Sequence, residues 1–290
     1  MRTSQEILEY FRSTPCASGA ILELELLESD VARIGYKSFV DLAQLFLMKM
    51  HTPLLCEKKE KVLLRFEKLD TQSSFHKAQQ SEEKYGTQSE FFQIDKTSQF
   101  SFLYHYQHAL EFVGLSSKQR ILNLGINKGD EFTLIRDMLE AQSFGSKEFV
   151  GIDYSASAIA YAKEQLPDSN VALFTHDIND LDALNLGKFD LLISIGTLQS
   201  SSLNFNEKFM QIYQNHLEKG AAIILGFPNC RWIDGEMIYG AKAPNYPFSE
   251  MSLVLKDIHF CKKYLQQKKY RVIVTGKDYL FLSARKLQNM

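Results

Sequence analysis

Four short stretches hold residues whose types and spacing could bind a nucleotide-like ligand. RILNLGINKGD, residues 120 to 130, runs from an apolar segment into a turn marked by Gly125 and Gly129. Asp153 closes EFVGID, and Asp177 closes NVALFTHD. Ser194, Ile195, Gly196 and Thr197 form a small-residue turn at the end of FDLLISIG. A glycine lets backbone approach a ligand closely and adopt dihedrals closed to other residues. N–H groups at the start of a following helix can take a carboxylate or another anion. A strand-end acid such as Asp153 can accept both hydroxyls of a ribose, and Tyr154 beside it can lie against an adenine face. Asp177 can accept from an adenine amino group while the Ile178 N–H meets a ring nitrogen. Either acid taken alone is as well explained as a turn residue; the ordered set is what points to a cofactor.

The elements that must position these residues are legible from about residue 119 onward. Short apolar runs (RILNL, EFVGID, NVALFTHD, FDLLISIG, AAIILGF) alternate with segments of helical spacing (DEFTLIRDMLEAQ, SASAIAYAKEQL, NFNEKFMQIYQNHLEKG, SLVLKDIHFCKKYLQQKKY). Gly220 reads as the residue just past the third of those helices. Such alternation predicts a mostly parallel sheet with helices on both faces and right-handed crossovers. FDLLISIG is apolar throughout, as a strand buried on both faces should be. RVIVTGKDYLFLSARK reads as a hairpin about Gly276, Lys277 and Asp278, placing an antiparallel strand at or near one edge. The fold class is thus a doubly wound α/β sheet, and all four stretches fall at the carboxyl ends of its parallel strands, where such folds bind ligands.

The first 118 residues differ. SQEILEYFR and SFVDLAQLFLMKM read as helices, with Ser4 near the first cap, and GAILELELLE and KVLLRFEKLD as strands, so residues 1–70 form a small α/β accessory unit. Residues 71–118 begin as a polar linker or exposed helix and continue as an aromatic-rich helical cap; residues 119–290 form the sheet domain.

Glycine spacing decides which nucleotide. A dinucleotide turn wants glycines at 125, 127 and 130. Here 127 is Asn and 130 is Asp, whose charge opposes a pyrophosphate. The 125, 127, 129 spacing keeps Gly125 and Gly129, and it resembles the first motif of the class I S-adenosylmethionine-dependent methyltransferases. The resemblance continues through GIDYSASAIAYAKEQL, THDINDL and FDLLISIG and covers roughly residues 119 to 285 by pattern. It implies a Rossmann-like, seven-stranded sheet with one antiparallel strand from the terminal hairpin. It implies a cofactor site of Asn123, Leu124, Gly125, Ile126, Asn127, Asp153, Tyr154, Asp177, Ile178, Ile195 and Gly196. Leu124 through Asn127 would lie beside the methionine moiety, Asp153 on the ribose, Asp177 and Ile178 on the adenine, and Ile195 and Gly196 under the sulfonium. S-adenosylhomocysteine would be the product. Because that family moves a methyl group by in-line attack, positioning is the protein's main work.

Two positions depart from the family pattern. Asn123 stands where an acid is usual: it keeps an acceptor oxygen but loses the charge, at a cost of about 1–2 kcal/mol in a charge-assisted hydrogen bond. Asn127 stands where a glycine is usual, and asparagine is the next most tolerant residue for left-handed backbone.

For the methyl acceptor, the candidates are Tyr104 and Tyr106 in the aromatic stretch, and Arg231, Trp232 and Tyr239 in FPNCRWIDGEMIYGAKAPNY, which follows the fifth strand. The plainer readings are core packing for the former and a surface loop for the latter. His105 and His108 have metal-pair spacing on a helix, but no third ligand is in evidence and no metal is expected. Cys230 lacks the Pro-Cys context of a cytosine-type methyltransferase nucleophile. The run after FDLLISIG lacks the Asn/Asp-Pro-Pro-aromatic pattern of enzymes acting on exocyclic amines of nucleic-acid bases.

The formal net charge of −2 gives no broad positive field for nucleic acid. The four cysteines form no CxxC pair, the N-terminus has no apolar signal core, and the best apolar run, FVDLAQLFLM, is too short to span a bilayer. A cytoplasmic protein is the expectation. The leading reading is a methyltransferase using S-adenosylmethionine on a small-molecule acceptor. Its rivals are an RNA-modifying methyltransferase that grips RNA with N-terminal lysines, a cofactor-binding but non-catalytic relative, and an enzyme transferring another group from a modified cofactor.

Overall fold

The structure is a computed structural model that describes residues 3–55, 60–72, 86–87, 89, 92, 94–200, 203–241 and 249–287. Phe91, Lys58 with Lys59, most of the 71–86 linker and residues 242–246 of the loop after the fifth strand lie outside the described residues. The chain divides into two compact units, Met1–Ala78 with Trp232–Tyr239, and Gln79–Arg231 with Gly240–Met290. The boundaries differ from the expected division at 70 and 118: the aromatic stretch belongs to the second unit, and an eight-residue piece after the fifth parallel strand belongs to the first.

In the first unit, α1 (Ser4–Ser13) starts from a capping box between Thr3 and Glu6, so the cap is Thr3, with Ser4 next to it as expected. β1 (Ile21–Leu27) alternates as expected, burying Leu22, Leu24 and Leu26 and leaving Glu23 and Glu25 outside. α2 (Glu28–Ile34) and α3 (Tyr36–Leu45) follow. Then β2 (Met48–Met50), β3 (Leu54–Leu55) and β4 (Lys61–Lys68) complete an antiparallel sheet centred on β4. The expected helix over SFVDLAQLFLMKM stops early because Leu47 takes a left-handed φ of 54° and the chain turns back as β2.

In the second unit, α4 (Phe100–Val113) ends at Gly114, whose φ is 72°. Next come β5 (Arg120–Leu124), α5 (Asp130–Met138), α6 (Ala141–Gly145), β6 (Glu148–Asp153), α7 (Ala156–Gln165) and β7 (Val171–Thr175). β8 (Phe189–Ile195), α8 (Phe205–Asn215) and β9 (Leu217–Pro228) follow. β10 (Cys230–Ile233), whose last two residues count with the first unit, and β11 (Glu236–Tyr239), which belongs wholly to that unit, pair as a two-stranded ribbon about Asp234 and Gly235, both at positive φ. The chain ends in α9 (Ser252–Gln267), β12 (Tyr270–Gly276) and β13 (Tyr279–Lys286). The sheet order is β12-β13-β9-β8-β5-β6-β7. Its five central and right-hand strands are parallel, and β13 pairs antiparallel with both β9 and β12. This is the expected seven-stranded, mostly parallel sheet.

The sheet's centre is closed on both faces. Leu191, Leu192 and Ile193 of β8 and Ile223, Ile224 and Leu225 of β9 have no exposed surface, each side chain contributing about 1.5–3 kcal/mol by burial. On one face Phe102 and Tyr106 of α4 pack on β13, with ring centroids 5.4 and 6.0 Å from Phe281.

Two expected helices are cut short. DEFTLIRDMLEAQ breaks into α5 and α6 because Leu139 and Glu140 are extended. Gly220 is not the residue past α8: that helix ends at Asn215 and Gly220 lies inside β9 with φ 99°. β9 begins early because Leu217 already pairs with Phe189, and a register irregularity takes up the residues before Ala222.

Candidate functional site

The carboxyl ends of the parallel strands bring the four stretches to one edge of the second unit. β5 ends at Leu124 and enters a tight turn: the N–H groups of Gly125 and Ile126 both donate to the Ile152 carbonyl, at 2.8 and 3.1 Å, and that of Gly129 to Ile126, at 2.9 Å. Gly125, Asn127 and Gly129 have φ of 78°, 45° and 93°, so Asn127 takes the left-handed backbone a glycine would. A Cβ at Gly125 would lie 1.8 Å from the Thr197 hydroxyl oxygen. The turns after β5 and β8 therefore touch at a point where only glycine fits. The Ser194 hydroxyl, also buried, donates to the Leu124 carbonyl at 3.1 Å and joins the same strand ends.

Asp153, at the end of β6 and 8% exposed, is the hinge of this edge. One carboxylate oxygen accepts the Asn127 N–H at 2.9 Å and the other the Ser155 N–H at 3.0 Å. Burial raises its pKa; the N–H donors of Ser155, Asn127 and Tyr154 oppose that rise without cancelling it, and nearby Glu131 adds to it. With three N–H donors on about four acceptor positions, the carboxylate keeps acceptor capacity for a ligand hydroxyl. Tyr154 next to it is 53% exposed. Asp177 is exposed, and its carboxylate accepts the Asn179 N–H at 2.8 Å at the start of a short 3-10 turn, over a buried Ile178. Ile195 is buried, and a Cβ on Gly196 would stand 3.2 Å from the Pro228 ring, which ends β9.

Beneath the Gly125 turn lies a group that sequence reading passed over. Glu131, in the first turn of α5 and 1% exposed, takes the Lys96 ammonium at 2.6 Å on one oxygen. Its other oxygen faces the Asn123 amide nitrogen at 3.4 Å. Burial alone would lower the Lys96 pKa, but Glu131 and Asp130 raise it above the ordinary lysine value. The Asn123 carbonyl oxygen is fully buried and has no partner. Lys128, within the turn, donates to the carbonyls of Ile94 and Phe92 at 2.8 and 3.3 Å. The only sequence signal for Glu131 was an acid in a first helical turn, which reads as complement to the helix dipole; Lys96 carried none.

The acceptor candidates scatter. Tyr106 has no exposed surface: its phenol is 3.5 Å from the Glu131 carbonyl and its ring packs on Phe102 and Phe281, so it is a core residue and does not face a substrate. Tyr104, two residues earlier, is 66% exposed on the opposite side of α4. Arg231 belongs to the unit that carries the crevice, whereas Trp232 and Tyr239 belong to the other. Cys230 is buried, and burial together with Asp278 pushes its thiol up to about 12, the opposite of what a nucleophile needs. Among the described residues no group of three His, Cys, Asp or Glu side chains could hold a metal, and no helix is long and apolar enough to cross a membrane.

The donors and acceptors present suit S-adenosylmethionine. Asp153 would take ribose hydroxyls, Asp177 and Ile178 the adenine, the Gly125 turn would pass close to the methionine chain, and the unpartnered Asn123 oxygen asks for a donor such as an ammonium. No curated protein matches the sequence. Solved structures that resemble this chain include a SAM-dependent methyltransferase from Aquifex aeolicus, 15% identical over 67% of this chain and 95% of that one, TM-score 0.45. The methyltransferase domain of bacterial CtHen1 is 14% identical over 64% and 100%, TM-score 0.47. The plantazolicin methyltransferase BpumL, bound to SAH, is 13% identical over 67% and 86%, TM-score 0.45. A sequence model described as a methyltransferase domain matches residues 115–269, just over half of the chain. The chain belongs to that family, the class I methyltransferases, whose cofactor is S-adenosylmethionine.

Proposed function

We propose that this protein is a cytoplasmic enzyme that transfers the methyl group of S-adenosylmethionine to a small-molecule acceptor by direct in-line attack. The observation that carries the reading is Asp153: a buried carboxylate at the end of β6, pinned by backbone N–H groups beside a glycine turn, with acceptor capacity left for a ribose hydroxyl. The bound cofactor supplies an electrophilic methyl on a sulfonium. The chain's residues do the rest by placement. Asn123 through Asn127 hold the methionine end, Asp153 and Tyr154 the ribose and adenine, Asp177 and Ile178 the adenine edge, and Ile195 and Gly196 the floor. Fixing one reactant in line with the other removes much of the entropic barrier.

A small-molecule acceptor is supported by the net charge of −2 and by the strand-end sequence SIGTL after β8, which lacks the Asn/Asp-Pro-Pro-aromatic pattern. Arg231 and the exposed Tyr104 are the side chains we assign to acceptor selection. Incubating a cell extract with methyl-labelled cofactor and the enzyme tests this. Label in the low-molecular-weight pool is expected; label in RNA or protein would overturn the small-molecule reading.

A further inference from the structure

The Lys96, Glu131 and Asn123 group does more than the fold requires. A buried ion pair is weak evidence of a stabilising role, since apolar residues of similar size usually serve as well. This pair sits against a fully buried asparagine whose amide oxygen has no partner, and a buried acceptor left open calls for an explanation. The geometry supplies one. A carboxylate accepts hydrogen bonds and does not donate them, so the Asn123 amide must turn its nitrogen toward Glu131, 3.4 Å away. Its oxygen is thereby committed to the other side. Lys96, 2.6 Å from the second Glu131 oxygen and 14% exposed, fixes the carboxylate that enforces this choice.

We propose that the Lys96–Glu131 pair is a positioning device that locks the Asn123 amide in one orientation, so that its oxygen accepts, directly or through one water, from the ammonium of the cofactor's methionine end. The asparagine lacks the charge of an acid, and it also lacks an acid's symmetry: an aspartate offers an acceptor whichever way it turns, an asparagine only when its rotation is set. Glu131 sets it. The inference rests on the cofactor reading above and deepens it by naming what holds the amino-acid end.

Glu131→Gln is the sharpest variant. Lys96 can bond only the new amide's oxygen, which leaves the NH2 facing Asn123. Asn123 must then turn its oxygen inward and offer its own NH2 to the ligand, where it repels an ammonium. The probes are S-adenosylhomocysteine and 5′-methylthioadenosine, which shares the nucleoside thioether but has no amino-acid end. By calorimetry, E131Q should lose about tenfold in affinity for the former and stay within about twofold for the latter. The exchange N123D/E131Q, which returns one carboxylate to the group, should restore binding of S-adenosylhomocysteine. K96M/E131M, which removes both charges and is expected to keep the fold, frees the amide to turn either way and should show a smaller loss, again confined to S-adenosylhomocysteine. An equal loss for both probes, or no loss for either, would make the pair merely structural and overturn the proposal. A wild-type protein that binds neither probe would instead refute the cofactor reading itself.

Discussion

The Asn127 N–H donates to the Asp153 carboxylate at 2.9 Å, so the turn after β5 is fastened to the end of β6 by the residue placed on the ribose. Two strands that are neighbours in the sheet thus share one acid, which shapes the loop and, in the proposed site, also takes the ribose. Replacing it must alter both. Asp153→Asn keeps the shape but puts an amide NH2 against a backbone donor on one side.

The acid also makes stability depend on pH. Its pKa is raised from the ordinary value of 3.8, chiefly by burial. A carboxyl group whose pKa rises on folding favours the fold when protonated, so its contribution is fullest below 3.8 and is lost as the pH climbs through the folded value. Wild type should therefore lose stability relative to D153N as the pH rises from about 4 toward neutral. Urea denaturation of both proteins across that range checks it: the difference should slope in this direction, and a flat difference would deny the shift. A constant offset from the new amide does not affect the slope.

Gly125 should tolerate no side chain. Alanine there meets a φ of 78° and a hydroxyl oxygen 1.8 Å from its Cβ. The backbone alone costs about 1–2 kcal/mol, and the collision adds to that. Chemical denaturation of G125A should show at least this loss, and adding Thr197→Gly should recover only the part due to contact. Full recovery would mean the turn carries no backbone preference.

Asn127 offers a finer comparison. Its φ is 45°, so N127G should be more stable than N127A by about 1 kcal/mol, both having lost the same side-chain contacts. Equal midpoints in urea would show that the left-handed turn is not retained in solution.

Cys230 should be chemically silent. Its thiol is 7% exposed and pushed up to about 12 by burial and by Asp278, so almost no thiolate exists near neutral pH. Iodoacetamide at about pH 8 should leave Cys230 unlabelled in the folded protein and label it after denaturation, as read by peptide mass. Rapid labelling of the native protein would contradict its placement.

How much of this was legible in the sequence follows from what kind of signal each part emits. Period and turn chemistry mark the parallel strands, so the crevice and its acids Asp153 and Asp177 could be read directly. The orientation of the aromatic stretch could not be read from residue type, but it was present in the spacing: Phe102, Tyr106, Ala109, Leu110 and Val113 lie on one helical face and are all buried, which puts Tyr104 outside and Tyr106 in. The ribbon of β10 and β11 also had a local signal, Asp234-Gly235 between short apolar runs. The Lys96–Glu131 pair had none. It joins residues 35 positions apart, one of them outside any regular element, and only the folded chain shows that Glu131 lies against Asn123.

Titration calorimetry with S-adenosylmethionine and S-adenosylhomocysteine shows whether the crevice edged by Gly125, Asp153 and Gly196 binds the cofactor. Wild type should bind both in the micromolar range or tighter, and Asp153→Ala, still folded by its circular dichroism, should weaken both at least tenfold, about 1.4 kcal/mol or more. No binding by the wild type at high micromolar concentration, or an unchanged affinity in D153A, would contradict the cofactor reading.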